Sequence, residues 1–112
     1  MLPLKNRLRK KTDLERVLKK GKGFKEDLLI LKKTKNSLEE TRFGFIVSQK
    51  VSKKASTRNK IKRRLRGVAG KKLKKITPGT DVLIMAVPGI EKKDFWEIEE
   101  RIYKLFKKAK LI

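Results

Sequence analysis

Apolar positions recur at helical spacing in three segments of the chain, and between these lie alternating or continuous apolar runs of strand length. Leu14, Val17 and Leu18 give a short first helix one apolar face. Thr12-Asp13-Leu14-Glu15 has capping-box spacing at its start, and Gly21 is a natural stop because glycine accepts a left-handed backbone. Phe24 to Lys33 follows as a strand whose Leu-Leu-Ile-Leu centre predicts burial on both faces. After a polar loop, Thr34 to Thr41, the segment Arg42 to Val51 reads as a second strand. It points Phe43, Phe45 and Val47 one way and Gly44, Ile46 and Ser48 the other. These two strands are expected to pair antiparallel.

A polar connector, Gln49 to Thr57, leads to a basic helix that starts near Arg58, with Ser56 or Thr57 as its cap. At 100° per residue, Ile61, Leu65, Val68, Ala69, Leu73 and Ile76 form one apolar arc that should sit on the sheet. Arg58, Lys62 and Arg66 run along one border of the arc. Asn59 and Arg63 lie further round, and Lys60 and Arg64 lie towards the opposite border. Gly67 and Gly70 each weaken the helix by up to about 1 kcal/mol, so its second half is expected to bend or end early. Thr77-Pro78-Gly79 ends it.

Asp81 to Val87 is an apolar strand of the kind found inside a sheet covered by helices. The last helix opens with Asp94 and Glu97 in capping-box spacing, and Phe95, Ile98, Ile102, Leu105, Phe106 and Ala109 make its core face. The order is therefore α-β-β-α-β-α, with room for one more short strand, in a two-layer α/β sandwich without internal repeats.

Composition changes this picture in one respect. The 112 residues suit a single domain, residues 1–112, and 34 Lys+Arg against 12 Asp+Glu give a net charge of +22. So strong a field favours a polyanionic partner. Residues 1–11, with Lys5, Arg7, Arg9, Lys10 and Lys11, form a basic N-terminal arm. The chain has no cysteine, hence no disulfide partner, and its apolar runs at Leu28 to Leu31 and Val82 to Val87 are too short for a bilayer. A soluble, cytoplasmic protein with no membrane partner is expected.

Catalysis by protein side chains has little support, because His and Cys are both absent. The acidic cluster Glu97, Glu99 and Glu100 reads better as helix ion pairs, Glu97 to Arg101 and Glu100 to Lys104. Ser48, Ser52 and Ser56 have no base beside them, and no glycine-rich phosphate loop appears. Six of the nine residues from Arg58 to Arg66 are basic. A solvated lysine-rich face would explain charge alone. The arginine clustering, with few acids nearby, favours nucleic acid, because guanidinium forks match phosphate oxygens. Asn59 adds a donor and acceptor at the helix N-terminus. Aromatic residues are few. Phe24 is a candidate for an RNA groove or an edge-strand core position, while Trp96 and Tyr103 are expected to pack on the sheet or on each other.

The stretch Arg42-Phe43-Gly44-Phe45-Ile46-Val47-Ser48-Gln49-Lys50-Val51, followed by Ala55-Ser56-Thr57-Arg58-Asn59-Lys60-Ile61-Lys62-Arg63-Arg64-Leu65-Arg66, resembles the protein component of bacterial ribonuclease P. It matches the family's strand and its arginine-asparagine-arginine signature helix. Asp13-Leu14-Glu15-Arg16-Val17-Leu18 and Gly79-Thr80-Asp81-Val82-Leu83-Ile84 match in place and character. The resemblance implies an α+β fold like ribosomal protein S5 domain 2, with a mixed four-stranded sheet and a left-handed βαβ crossover. It also implies a protein subunit that assists a catalytic RNA, with Mg²⁺ held mainly by that RNA, in removing the 5′ leader from precursor tRNA.

On the same ground Arg58, Asn59, Lys60, Lys62, Arg63 and Arg66 should contact the ribonuclease P RNA. A cleft made by Leu14, Leu18, Phe24, Ile30, Lys32, Ile46, Lys50 and Lys53 should hold the leader of precursor tRNA, with Arg7 and Arg9 in the basic arm. Lys60 stands where arginine is frequent, and Gln49 replaces a usual lysine. Leu14 and Leu18 replace cleft phenylalanines, which shifts the expected leader contact towards Ile30, Lys32 and Ile46 on the sheet. The alternative from another class is a structural, ribosomal-type RNA-binding protein.

Overall fold

The computed structural model describes residues 2–112. Met1, the first residue of the basic arm, lies outside the described residues. The segments fold as α1 (Lys11–Lys20), β1 (Lys22–Glu26), β2 (Leu29–Lys35), β3 (Arg42–Val47), α2 (Ala55–Lys72), β4 (Thr80–Ala86) and α3 (Phe95–Lys108). Single 3₁₀ turns occupy Leu4–Asn6, Leu73–Lys75 and Ile90–Lys92. The single strand expected over Phe24 to Lys33 is in fact a hairpin. The chain reverses at Asp27, whose φ of 51° lies in the left-handed region that aspartate tolerates better than most residues. The unbroken apolar run beside it concealed the turn.

The four strands lie in the order β1-β2-β4-β3. β1 and β2 are antiparallel, β2 and β4 are antiparallel, and β3 and β4 are parallel. The strand containing Arg42 therefore does not pair with the one containing Leu31, as the sequence suggested. β4 separates them, because its Val82, Leu83 and Ile84 are apolar toward both faces and gain most from the central place. β3 is shorter than expected and stops at Val47. Its parallel return to β4 runs through α2.

One face of the sheet carries the main core. Leu29, Leu31, Phe43, Val82 and Ile84 meet Ile61, Leu65 and Val68 of α2 and Ile98, Ile102, Leu105 and Phe106 of α3. Burying each such side chain stabilises the fold by about 1.5–3 kcal/mol. That packing carries α2 without a break through Gly67 and Gly70, and the α-helix ends at Lys72, where a 3₁₀ turn at Leu73–Lys75 takes over before Ile76. On the other face, α1 places Val17 with Leu8 and Leu83 in a smaller core.

Several local signals play out differently from their spacing. α1 begins at Lys11 and α2 at Ala55, both without a side-chain cap, so Thr12, Ser56 and Thr57 lie inside the first turns. Asp13 instead faces Arg42, 3.5 Å away. Gly21 has φ −70°, an ordinary extended conformation rather than a left-handed one. Glycine is needed there because a Cβ would stand 2.4 Å from the Val17 carbonyl oxygen. The capping box of α3 forms as expected, Glu97 N donating to Asp94 Oδ1 at 2.9 Å. Glu100 pairs with Lys104 at 3.2 Å, but Glu97 pairs with Lys93 and Arg101 with Asp27. Trp96 and Tyr103 pack neither on the sheet nor on each other, and both are exposed.

Candidate nucleic-acid interface

The β register lays side chains in rows across the sheet face that bears α1. Arg42, Asp81 and Thr34 form one row, and Gly44, Leu83, Lys32 and Gly23 the next. Ile46, Met85, Ile30 and Lys25 form a third. α1 lies over the first two. A Cβ on Gly44 would come within 2.8 Å of Leu14 Cδ2, and Lys32 Nζ donates to the Leu18 carbonyl at 2.8 Å. The third row stays partly open beside the helix. Ile46, Met85 and Ile30 are half-buried, and Leu14 and Leu18 of α1 form its wall.

Five of the expected cleft residues, Leu14, Leu18, Ile30, Lys32 and Ile46, are thus brought to one face. Phe24 is not among them. It stands opposite Leu31 on the other face of the sheet, packs against the main core, and has Lys22 and Lys33 over its ring at 5.6 and 6.0 Å. Strand alternation dictates this, since Phe24 and Ile30 project to opposite faces. Lys50 and Lys53 are exposed in the loop between β3 and α2. Met85 completes the open row and was missed, because the apolar run of β4 hides which residues face α1.

α2 presents its cations as the helical wheel requires. Asn59, Lys60 and Arg63 are exposed, and Arg58, Lys62, Arg64 and Arg66 are half-buried along the apolar borders. Among the described residues none of the six cations from Arg58 to Arg66 forms an ion pair. Arg58 has a structural bond as well, donating from Nη1 to the Ser52 carbonyl at 2.8 Å. It ties the β3–α2 loop to the helix.

The basic arm is not a loose tail. Leu2 and Leu8 are buried, Arg7 bridges to Phe43, and Leu8 N donates to the Phe43 carbonyl at 2.8 Å. One groove is consequently lined by Arg7, Arg9, Leu14, Gly44, Phe45 and Arg66. It joins the arm, the start of α1, the outer edge of β3 and one border of α2. The opposite border, Lys60 and Arg64, lines a depression with Glu91, Lys93 and Asp94.

The first row holds a buried ionic cluster that sequence reading overlooked. The Asp81 carboxylate, 0% exposed, accepts hydrogen bonds from Arg42, Arg16 and Asn36. Burial pushes its pKa up, but the bonds from Arg42 and Asn36 and the nearby guanidinium charges outweigh this and hold it below the usual carboxylate range. The only sequence signal is an acid beginning an apolar strand. Among the described residues no group of three or more acidic side chains converges to hold a metal ion.

The Ribonuclease P family model matches residues 2–110. The ribonuclease P protein component of Pseudanabaena sp. is 34% identical over 113 residues, covering 100% of this chain and 97% of the relative. That of Thermotoga maritima is 30% identical over 108 residues, covering 93% and 92%. Among solved structures, the RNase P protein of Staphylococcus aureus superposes with a TM-score of 0.86 at 27% identity, covering 95% of this chain and 96% of that one. The RNase P protein of Thermotoga maritima does so at 0.83 and 28%, covering 91% and 96%.

Proposed function

Because this chain belongs to the ribonuclease P protein family, and is therefore a subunit of ribonuclease P working with RNA in tRNA processing, we propose that it holds two RNAs on two surfaces. The cations of α2, Arg58, Lys60, Lys62, Arg63 and Arg66 with Asn59, bind the ribonuclease P RNA. The open row beside α1, with Leu14, Leu18, Ile30, Lys32, Ile46 and Met85 and the loop lysines Lys50 and Lys53, binds the 5′ leader of precursor tRNA. Phe24 has no part in that cleft. Arg7 and Arg9 link the two surfaces through the groove they share with Arg66.

The observation that carries this reading is the run of six cations from Arg58 to Arg66, none of them in an ion pair among the described residues, beside a half-apolar, partly open strand row. Unpaired guanidinium groups favour phosphate, and a shallow apolar row with lysines at its ends suits extended single-stranded nucleotides. Bond cleavage belongs to the RNA and to Mg²⁺ ions that the RNA holds. The absence of His and Cys from the chain and the lack of a converging acidic group among the described residues are in keeping with this division. The complex acts in the cytoplasm, where the chain, as one domain, meets newly made tRNA precursors.

The test is affinity of the reconstituted complex for precursor tRNA with and without its 5′ leader. Tighter binding of the leader-bearing substrate, reduced by Ile46→Asp, supports the reading. Equal affinity for both substrates contradicts the leader cleft.

A further inference from the structure

Trp96 is the single tryptophan of the chain and is 74% exposed at the first turn of α3. Tryptophan is seldom left so uncovered, because its large ring gains more from burial than any other side chain. Seven residues on, and hence on the same helix face, Tyr103 is also exposed. Both rings border one shallow depression with Lys72, Glu99 and Glu100.

Lysine ammonium groups lie over two rings of this patch. Lys72 and Lys107 hold their ammonium groups 4.6 and 4.8 Å from the Tyr103 ring centroid, and Lys71 lies 5.2 Å from that of Phe95. Phe95 supports Trp96 edge to face, with centroids 5.7 Å apart. Of the two acids nearby, Glu100 pairs with Lys104 at 3.2 Å, and Glu99 faces Lys71 at 3.6 Å without a hydrogen bond to its buried Oε2. Lys60, Arg64 and Lys71 follow one another at spacings of four and seven on α2, so this border of the basic helix leads to the aromatic pair.

We infer that Trp96 and Tyr103 form a stacking platform for unpaired bases of the RNA that α2 binds, extending the RNA-binding surface of α2 onto α3. The inference rests on the reading of α2 as the RNA-binding helix. Two flat rings among lysines fit a strand that offers bases and phosphates together. A second copy of this chain is disfavoured as occupant, because two molecules of charge +22 repel.

Since Trp96 is the sole tryptophan, its emission reports on the platform directly. The full chain is titrated with a bacterial ribonuclease P RNA, with complex formation followed independently by filter retention. Quenching of Trp96 emission in step with binding is expected, while polyphosphate, which has charge but no bases, should bind without quenching. Combined Trp96→Ala and Tyr103→Ala should weaken RNA affinity about tenfold or more with the melting temperature unchanged, and Trp96→Phe should retain most of it. Saturated RNA binding with unchanged emission overturns the inference and leaves the role of α2 intact. Equal quenching by polyphosphate or polyglutamate overturns it too, as does emission that varies with protein concentration alone. Failure of the RNA to bind at all removes the reading of α2 and this inference with it.

Discussion

Arg42 and Asp81 stand opposite each other on neighbouring parallel strands, and Arg42 closes a two-point fork on the Asp81 carboxylate. Its Nε reaches Oδ1 at 2.8 Å and its Nη2 reaches Oδ2 at 2.7 Å. Arg16 of α1 bonds the same carboxylate, and Asn36 reaches it from the loop before β3 at 2.9 Å. One buried acid thus ties α1, β3 and β4 together at the end of the sheet away from the open strand row.

Removing that charge leaves the Arg16 guanidinium without a carboxylate and Arg42 with only the more exposed Asp13, 3.5 Å away. Asp81→Asn is expected to destabilise the protein by about 3–5 kcal/mol, read from denaturant unfolding. A loss below about 1 kcal/mol, the range of exposed pairs, would show that the cluster does not brace α1.

The same cluster sets an acid limit. The folded protein holds Asp81 below the usual carboxylate pKa, so its stabilisation is fully present above the unfolded-state value and is lost as pH falls through the lower folded-state value. Arg42, its pKa raised by the hydrogen bond to Asp81, stays charged throughout. The difference in melting temperature between wild type and Asp81→Asn should therefore be constant above about pH 4–5 and narrow below it. A gap that instead narrows towards alkaline pH would contradict this assignment.

Gly21 tests how closely α1 must approach β2. Gly21→Ala would set a Cβ against the Val17 carbonyl oxygen and 3.2 Å from Lys32 Cβ, at a cost of about 1–3 kcal/mol. In Gly67→Ala the new methyl meets nothing within 4 Å, so the gain in helix propensity should leave stability unchanged or slightly raised. Thermal melts of the two variants separate these outcomes, and equal losses would contradict the close approach.

How far the sequence disclosed this arrangement depended on the kind of signal. α2 and α3 were legible because their apolar residues keep a 3.6 period over many turns. The cationic character of α2 was legible because its cations outnumber any nearby acids. The β1–β2 hairpin was hidden, since its turn at Asp27 adjoins a continuous apolar run that gives no alternation to follow. Strand order was hidden too, because β4 pairs with β2 and β3 across long stretches of sequence. Phe24 was placed in the cleft on residue type, but its register opposite Leu31 puts it on the other face. The links among Arg16, Arg42 and Asp81 span 65 and 39 positions, and no local spacing announces them.

The basic helix should act in binding rather than in folding. Lys62, Arg63 and Arg66 make no ion pair among the described residues, so replacing all three by Ala should leave the melting temperature nearly unchanged. Affinity for ribonuclease P RNA should fall, and its salt dependence should flatten by about 0.7–0.9 in log–log slope for each phosphate no longer neutralised. Arg58→Ala differs, since it also frees the Ser52 carbonyl and should lower the melting temperature. Parallel losses of folding and binding in the triple variant would show that those three cations are structural.

The most direct test of the subunit's role is to mix the chain with a bacterial ribonuclease P RNA at low magnesium and follow 5′ cleavage of a precursor tRNA. Cleavage that requires both components, and is absent with the protein alone, is the expected result. RNA binding without any gain in cleavage would contradict that role and mark the chain as a structural RNA-binding protein.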